Sequence, residues 1–160
     1  MDWMDIAKGY VGITEIKGSK HNPRIVEMFK LAGFGGIKDD ETAWCAAFVG
    51  ACLVQAGLDT SESLAARSYE KWGLALKEPV YGCIGVKKRA GSSWMGHVGF
   101  VVGASKTQIF LLGGNQANGV NIAAFKRSEF TGYRWPIGID IPVMPLPTTI
   151  AGAKSNVSQA

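Results

Sequence analysis

The most informative run in the 160-residue sequence is Ala43-Trp44-Cys45-Ala46-Ala47-Phe48-Val49-Gly50-Ala51-Cys52-Leu53-Val54. Acidic residues and a cap candidate, Asp39-Asp40-Glu41-Thr42, precede this run and Gly57 follows it, as expected at the start and end of a helix. A helix that is apolar on every side lies inside a protein. The run is too short to cross a bilayer. We therefore predict a buried central helix.

Three further helices are predicted around this buried helix. An amphipathic stripe with spacing i, i+3, i+4 and i+7 predicts the first, over Trp3–Tyr10. The pair Asn22-Pro23 supplies a cap and a first-turn proline for the second, and Gly33 marks its end. The segment Ser61–Trp72 is predicted as the last helix before the chain changes character.

The second half of the chain predicts an antiparallel sheet. Its segments are short, rich in β-branched and aromatic residues, and separated by Gly, Ser, Lys or Asn. They are Tyr81–Lys88, His97–Val102, Thr107–Leu112, Val120–Phe125 and Tyr133–Trp135. Helices followed by strands indicate an α+β domain, in which the sheet packs on the buried helix. We place this domain at residues 1–141. The remaining segment, Pro142–Ala160, has prolines at 142, 145 and 147, and we expect it to be an extended, mobile tail.

Composition restricts the class of protein. Hydrophobic residues make up 47% and charged residues 19% of the chain, which excludes intrinsic disorder. The net charge of +4 favours attraction to an anionic polymer without selecting one. The start, MDWMD, lacks the basic and apolar regions of a secretory signal. The 3 cysteines give an odd count, which predicts no disulfide framework and synthesis in a reducing compartment.

Cys45 is the candidate nucleophile because it falls in the first turn of the buried helix. Unpaired backbone N–H groups and the positive end of the helix dipole favour a thiolate there. Cys52 lies two turns deeper and Cys83 lies in a strand, so both are interpreted as core residues. The alternative for Cys45 is that it also only packs, since free cysteine is often buried.

His97 and Asn115 are the candidate partners of that thiol. If the strands beginning at 97 and 107 form a hairpin around residues 103–106, His97 faces Leu112 and Asn115 lies just beyond the end of the partner strand. An Asn carbonyl accepting from one ring nitrogen fixes the tautomer and leaves the other nitrogen for the cysteine. The alternatives are a structural histidine and an Asn in a left-handed turn.

Metal and nucleic-acid sites are not expected. Cys45 and Cys52 are seven residues apart and His21 is far from His97, which does not match the spacing of zinc ligands. We therefore expect no metal and no cofactor. The basic run Lys87-Lys88-Arg89 is shorter than the clusters typical of nucleic-acid binding, so it predicts a solvated strand end.

Several ordered motifs resemble those of CHAP domains (cysteine, histidine-dependent amidohydrolase/peptidase), which are NlpC-like members of the papain-like superfamily. The resemblance extends over about Met1 to Pro136. The motifs are Gly12-Ile13-Thr14-Glu15-Ile16-Lys17-Gly18, Asn22-Pro23-Arg24-Ile25, Asp40-Glu41-Thr42-Ala43-Trp44-Cys45-Ala46-Ala47-Phe48-Val49, Gly96-His97-Val98-Gly99-Phe100, Leu112-Gly113-Gly114-Asn115-Gln116 and Tyr133-Arg134-Trp135-Pro136.

This resemblance implies a papain-like fold and hydrolysis of an amide bond in peptidoglycan, as in phage endolysins. Cys45 matches the family nucleophile, His97 the base, and Asn115 the third, orienting residue. Many CHAP domains have a Glu two residues before that Asn, where this chain has Gly113. The resemblance implies that the protein stays in the host cytoplasm until a holin-type release. We expect a monomer that neither binds nucleic acid nor inserts in a membrane.

The implied mechanism needs oxyanion donors. The backbone N–H of Cys45 is one, and the side-chain amides of Asn22 and Gln116 are candidates for the second, although Asn22 also suits a plain helix cap. Trp44 is expected to line the substrate groove or to fill the core, with the groove preferred. Two other functions stay open: a catalytically silent module that binds the wall or a partner, and an amidase acting on a protein.

Overall fold

The computed structural model describes residues 2–16, 21–37, 43–89, 92 and 95–155, and it has an α+β fold. Its helices are α1 (Trp3–Gly9), α2 (Pro23–Leu31), α3 (Cys45–Gln55) and the 3-10 segments Ala66–Lys71 and Arg127–Glu129. Its strands are β1 (Leu74–Leu76), β2 (Ile84–Lys88), β3 (Gly96–Ala104), β4 (Gln108–Gln116), β5 (Gly119–Lys126), β6 (Phe130–Trp135) and β7 (Lys154–Ser155).

The first two helices begin and end where their capping residues predict. The Asp2 side chain accepts hydrogen bonds from the backbone N–H groups at the start of α1. The Asn22 side chain does the same for Arg24 in α2, with Pro23 in the first turn. Gly33 follows α2 with φ +97°, a conformation in which glycine has no steric penalty. The predicted first and second helices are therefore confirmed.

Helix α3 is buried on all sides over 45–53, as predicted. The Phe48 ring lies edge-on to Tyr10 and Phe100, with centroids 6.0 and 5.9 Å away, so α3 is packed between α1 and the sheet. Gly50 allows α2 to approach closely, because a Cβ there would lie 2.9 Å from that of Ala32. The predicted acidic start of this helix, residues 39–42, lies outside the described residues.

The sheet has seven strands in the order β1-β6-β2-β3-β4-β5-β7. Neighbouring strands are antiparallel except β5 and β7, which are parallel. The five predicted strands are all present, with β3 and β4 longer than expected. The two edge strands β1 and β7 were not predicted because two or three residues carry no recognisable alternation.

The predicted helix at Ser61–Trp72 is wrong over its first half. Only Ala66–Lys71 is helical, and it is a 3-10 segment. Before it, the hydroxyl of Ser63 accepts from the backbone N–H of Ala65, and that of Ser61 bonds to the carbonyl of Ser63. Serine hydroxyls that bond to nearby backbone compete with helical hydrogen bonds, which explains the short element.

The predicted register of the hairpin between β3 and β4 is also wrong. Leu112 pairs with Phe100 rather than with His97, three residues further along β3. The strands extend into the expected loop, and the Ser105 N–H donates to the carbonyl of Gln108 across a tighter turn. A bulge between Val101 and Gly103 then shifts the pairing by one more residue. This register determines which side chains meet His97.

Residues 142–147 have no regular secondary structure, and the described part of the segment after residue 141 contacts the sheet at two places. The Ala104 N–H donates to the carbonyl of Pro147, and Lys154–Ser155 pairs with β5 as β7. Leu146 and Ile150 pack against the core. In the described part of the chain, none of the helices has the length and apolar character needed to span a bilayer.

Candidate active site

Cys45 is the first residue of α3 and is 4% exposed. Burial raises the pKa of its thiol, and hydrogen bonds from the backbone N–H groups of Val98 and Ala46 act in the opposite direction. The bond to Val98 brings the sulfur against β3, beside His97. The thiol is therefore neutral in this environment and lies where the sequence predicts, at the start of the buried helix.

His97 is completely buried near the start of β3. Its ring lies 5.3 Å from that of Phe125, centroid to centroid. Burial lowers the pKa of His97 to about 4; the hydrogen bond with Gln116 opposes this shift, and the charges of Lys87 and Arg89 add to it. At neutral pH the imidazole is therefore uncharged, the form in which it can accept a proton.

Gln116 holds this imidazole, through an amide whose orientation is fixed by its surroundings. Its Nε2 donates to the carbonyl of Asn121 at 2.8 Å, and lies 3.1 Å from Asn121 Oδ1 and 3.3 Å from the Leu111 carbonyl. Asn121 Nδ2 donates in return to the Gln116 carbonyl at 2.7 Å. With its nitrogen directed to acceptors, the amide presents Oε1 to His97 Nε2 at 3.0 Å.

This contact selects the tautomer of His97. Because Oε1 of Gln116 only accepts, the hydrogen of the neutral ring must be on Nε2. Nδ1 then carries a lone pair. Nδ1 is buried and has no hydrogen-bond partner among the described residues. A general base for the Cys45 thiol needs such a lone pair, within hydrogen-bond reach of the sulfur when the substrate is bound.

The thiol and the imidazole approach β3 from opposite faces of the sheet. Phe100 contacts Phe48 of α3, so Val98 shares the helix-facing side, and alternation places His97 on the other side. Pairing of β3 with β4 begins only at Phe100, which leaves an unpaired stretch between the two faces. No hydrogen bond joins Cys45 Sγ and His97 Nδ1 in the described structure, so a proton transfer between them requires the two groups to move together.

Asn115 does not orient His97, contrary to the sequence-based expectation. Its backbone has φ +60°, the left-handed turn conformation considered as the alternative, and its buried Nδ2 has no hydrogen-bond partner among the described residues. The register of β4 shifts between Gly113 and Gln116, which carries Gln116 rather than Asn115 to the imidazole. Any other catalytic role for Asn115 stays a prediction.

The remaining candidates have structural contacts. Trp44 is fully buried and its indole N–H donates to Glu15 Oε2 at 3.0 Å, so it fills the core and does not line a groove. Asn22 caps α2 and its Nδ2 donates to the Thr14 carbonyl at 2.8 Å. The amide nitrogen of Gln116 is engaged within the sheet, which corrects its proposed role as an oxyanion donor.

The turn after Gln116 is indicated by the sequence only to within one residue. Asn118-Gly119 is a dipeptide typical of two-residue hairpins and would pair Ala117 with Val120. The observed turn residues are Ala117 and Asn118, with φ of 50° and 62°, which pairs Gln116 with Gly119 and brings Asn121 within reach of Gln116. The amide orientation itself depends on contacts between strands, which the sequence pattern does not contain.

Among the described residues, no three His, Cys, Asp or Glu side chains are grouped as metal ligands. No protein-family model, curated protein or solved structure matches this chain. The site is therefore interpreted from its own geometry.

The neutral, buried thiol predicts slow alkylation. Cys45, Cys52 and Cys83 are 4%, 0% and 0% exposed, and burial raises the pKa of each. In the folded chain at neutral pH, iodoacetamide is expected to modify all three at least about tenfold more slowly than in urea, because the thiolate is the reactive form. Mass spectrometry of digested samples measures this for each cysteine. Rapid, selective labelling of Cys45 in the folded chain would show instead a preformed thiolate.

Proposed function

We propose that this protein is a cysteine-dependent amidohydrolase that cleaves an amide bond of bacterial peptidoglycan, with a papain-like fold of the CHAP type. The observation that supports this most strongly is the Asn121–Gln116–His97 chain of hydrogen bonds, which leaves Nδ1 bare beside the strand that receives the Cys45 thiol. The order of these elements, helix-borne cysteine before strand-borne histidine, is that of the CHAP motifs. The proposed action requires no cofactor.

The proposed reaction begins from a neutral pair. As the substrate binds, Cys45 Sγ approaches His97 Nδ1 and transfers its proton to it, and the sulfur attacks the scissile carbonyl carbon. The backbone N–H of Cys45, at the start of α3, donates to the developing oxyanion. The C–N bond breaks as His97 returns the proton to the leaving amine, and water then hydrolyses the thioester. Hydrogen bonds of this kind are often longer before substrate binds.

The resemblance also suggests where the protein acts. We propose that it is made in the cytoplasm of a bacterial host during phage infection and reaches the wall after a holin-type release, as a monomer. The net charge of +4 fits the approach to an anionic wall.

Incubation with purified peptidoglycan tests the proposed activity. The expected result is a time-dependent release of new amino groups, and mass spectrometry of the fragments then identifies the bond, either between N-acetylmuramic acid and L-alanine or within the peptide. A panel of folded proteins incubated in parallel tests the amidase alternative. New amines from a protein and none from peptidoglycan would reject the wall as substrate.

The burial of the site favours a second candidate function, a catalytically silent CHAP-like module that binds the wall or a partner. Cys45 and His97 are 4% and 0% exposed, and no hydrogen bond joins them in the described structure. Co-sedimentation with peptidoglycan without any amine release is the result expected of such a module.

Gln116→Ala is expected to lower the hydrolysis rate about 10- to 100-fold, the usual cost of losing a partner that orients a functional histidine. The variant leaves the Nε2–H of His97 buried and unpartnered, and the ring is free to change tautomer. Gln108→Ala, at the exposed start of the same strand, is the matched control. Equal amine-release rates for both variants and the parent protein would remove Gln116 from the site.

A further inference from the structure

A buried lysine lies next to His97 in the sheet. Lys87 of β2 is directly paired with His97 of β3, so the two side chains project from the same face. Lys87 is 2% exposed. Its Nζ donates to the carbonyl of Lys88 at 3.1 Å and lies 3.4 Å from Glu129 Oε1. Lysine is almost never fully buried unless it is paired, so this position indicates a specific role.

Both side chains contact the same aromatic ring. Lys87 Nζ lies over the ring of Phe125, 5.4 Å from its centroid, and the His97 ring centroid lies 5.3 Å from it. The face of an aromatic ring attracts a cation, and this ring also packs against the fully buried His97. An ammonium group in this position therefore acts on the imidazole through a medium of low polarity, where charge interactions are strong.

We propose that Lys87 is a positioning residue of the candidate site, whose ammonium group, held by Glu129 and the ring of Phe125, adds to burial in disfavouring protonation of the resting His97 imidazole. This inference rests on the proposed function for its catalytic meaning, and its structural part is testable without substrate. The sequence predicts that the basic run Lys87-Lys88-Arg89 is a solvated strand end. Lys87, its first residue, is instead buried, and the proposal assigns a role to its charge.

The charged groups around His97 determine whether its pKa rises or falls when Lys87 is replaced. Among the described residues these are Lys87 and Arg89, from β2 and its end, and Glu129, which acts through its ion pair with Lys87. The two cations lower the pKa of His97. Burial lowers the pKa of Lys87 itself, and Glu129 counteracts this and favours the ammonium form. Removing the Lys87 charge should therefore let His97 protonate at higher pH.

The test is an NMR pH titration of the imidazole in Lys87→Met, which keeps the apolar stem and removes the charge. His97 in the parent protein should titrate near pH 4, and the variant should titrate about one pH unit higher. Lys88→Met is the matched control, because Lys88 is exposed on the same strand and should leave the titration unchanged. His21→Gln assigns the signals, since the chain has 2 histidines.

Lys87→Gln provides a second variant, in case Lys87→Met fails to fold. It removes the same charge but keeps a side-chain donor for the carbonyl of Lys88, so His97 should again titrate at higher pH than in the parent protein. Unchanged titration of His97 in a folded Lys87→Met or Lys87→Gln overturns the inference.

A catalytic readout separates this inference from the proposed function. If the protein releases amines from peptidoglycan, the acid limb of kcat/KM should move up with Lys87→Met by the same amount as the NMR titration, since the base must be neutral. A shifted titration in a protein with no hydrolase activity would keep the electrostatic role and reject the hydrolase. A shifted titration with an unmoved acid limb would reject His97 as the base.

Discussion

Replacement of Cys45 by alanine is expected to lower the rate of amine release from peptidoglycan by about 10⁴-fold or more. The sulfur is the only group in the proposed reaction that forms a covalent bond to the substrate, so no neighbour replaces it. The loss should appear in kcat, since the small change at the start of α3 removes no group proposed to bind the substrate.

Cys52→Ala is the matched control for this prediction. Cys52 belongs to the same helix, is fully buried and has a thiol whose pKa is raised by burial. It should retain the activity of the parent protein, with a small loss of stability. If Cys45→Ala and Cys52→Ala release amines at equal, measurable rates, the activity does not use the Cys45 sulfur.

Acidification from pH 6.5 to 4 is expected to destabilise the folded protein by up to about 3 kcal/mol through His97 alone. The pKa of His97 is about 4 in the folded chain, lowered from 6.5 by burial. Between these values the unfolded chain binds a proton that the folded chain does not, so the free energy of unfolding falls as the pH falls. The contribution is complete above pH 6.5 and is lost by about pH 4.

Urea unfolding at a series of pH values measures this effect, with His97→Gln as the reference. Glutamine keeps a donor for the Gln116 oxygen and does not titrate, while all other groups stay the same. The difference in the free energy of unfolding between the two proteins should change by about 3 kcal/mol across the window. Parallel pH profiles would mean that His97 titrates normally and is not sealed from water.

Local patterns account for most of the fold. Caps such as Asn22 and the conformation of Gly33 are properties of a few adjacent residues, and the apolar run 43–54 has only one suitable environment, the core. These features predict the three main helices and the five longer strands. The helix predicted over Ser61–Trp72 is wrong in its first half because side-chain hydroxyls compete with the backbone there, which helical periodicity does not record.

The candidate site was predicted only in part, because it depends on contacts between distant residues. The sequence locates Cys45 at a helix start and His97 near a strand start. It assigns the third role to Asn115, and the observed partner is the next residue, Gln116. The irregularity of β4 between Gly113 and Gln116, where Asn115 adopts a left-handed conformation, causes this, and alternation alone does not fix the positions of such bulges.

The sequence also does not predict that the side chains of Cys45 and His97 are both buried. A cysteine at the start of a helix suggests a thiolate, since the first-turn N–H groups and the helix dipole favour negative charge. In the structure, the exclusion of water outweighs the backbone hydrogen bonds to the sulfur, and the pKa of the Cys45 thiol is raised. Lys87 and Arg89 similarly act against a charged His97. The resting site therefore differs from a preformed thiolate–imidazolium pair.

The most direct test of the central claim is to trap the proposed thioester. The protein is mixed with a defined peptidoglycan fragment and quenched in acid within the first turnovers, and the digested chain is analysed by mass spectrometry. The proposed mechanism predicts a fragment-sized acyl adduct on the peptide that contains Cys45, and none on those with Cys52 or Cys83. Amine release without an acyl adduct on Cys45, or with the adduct on another residue, would contradict it.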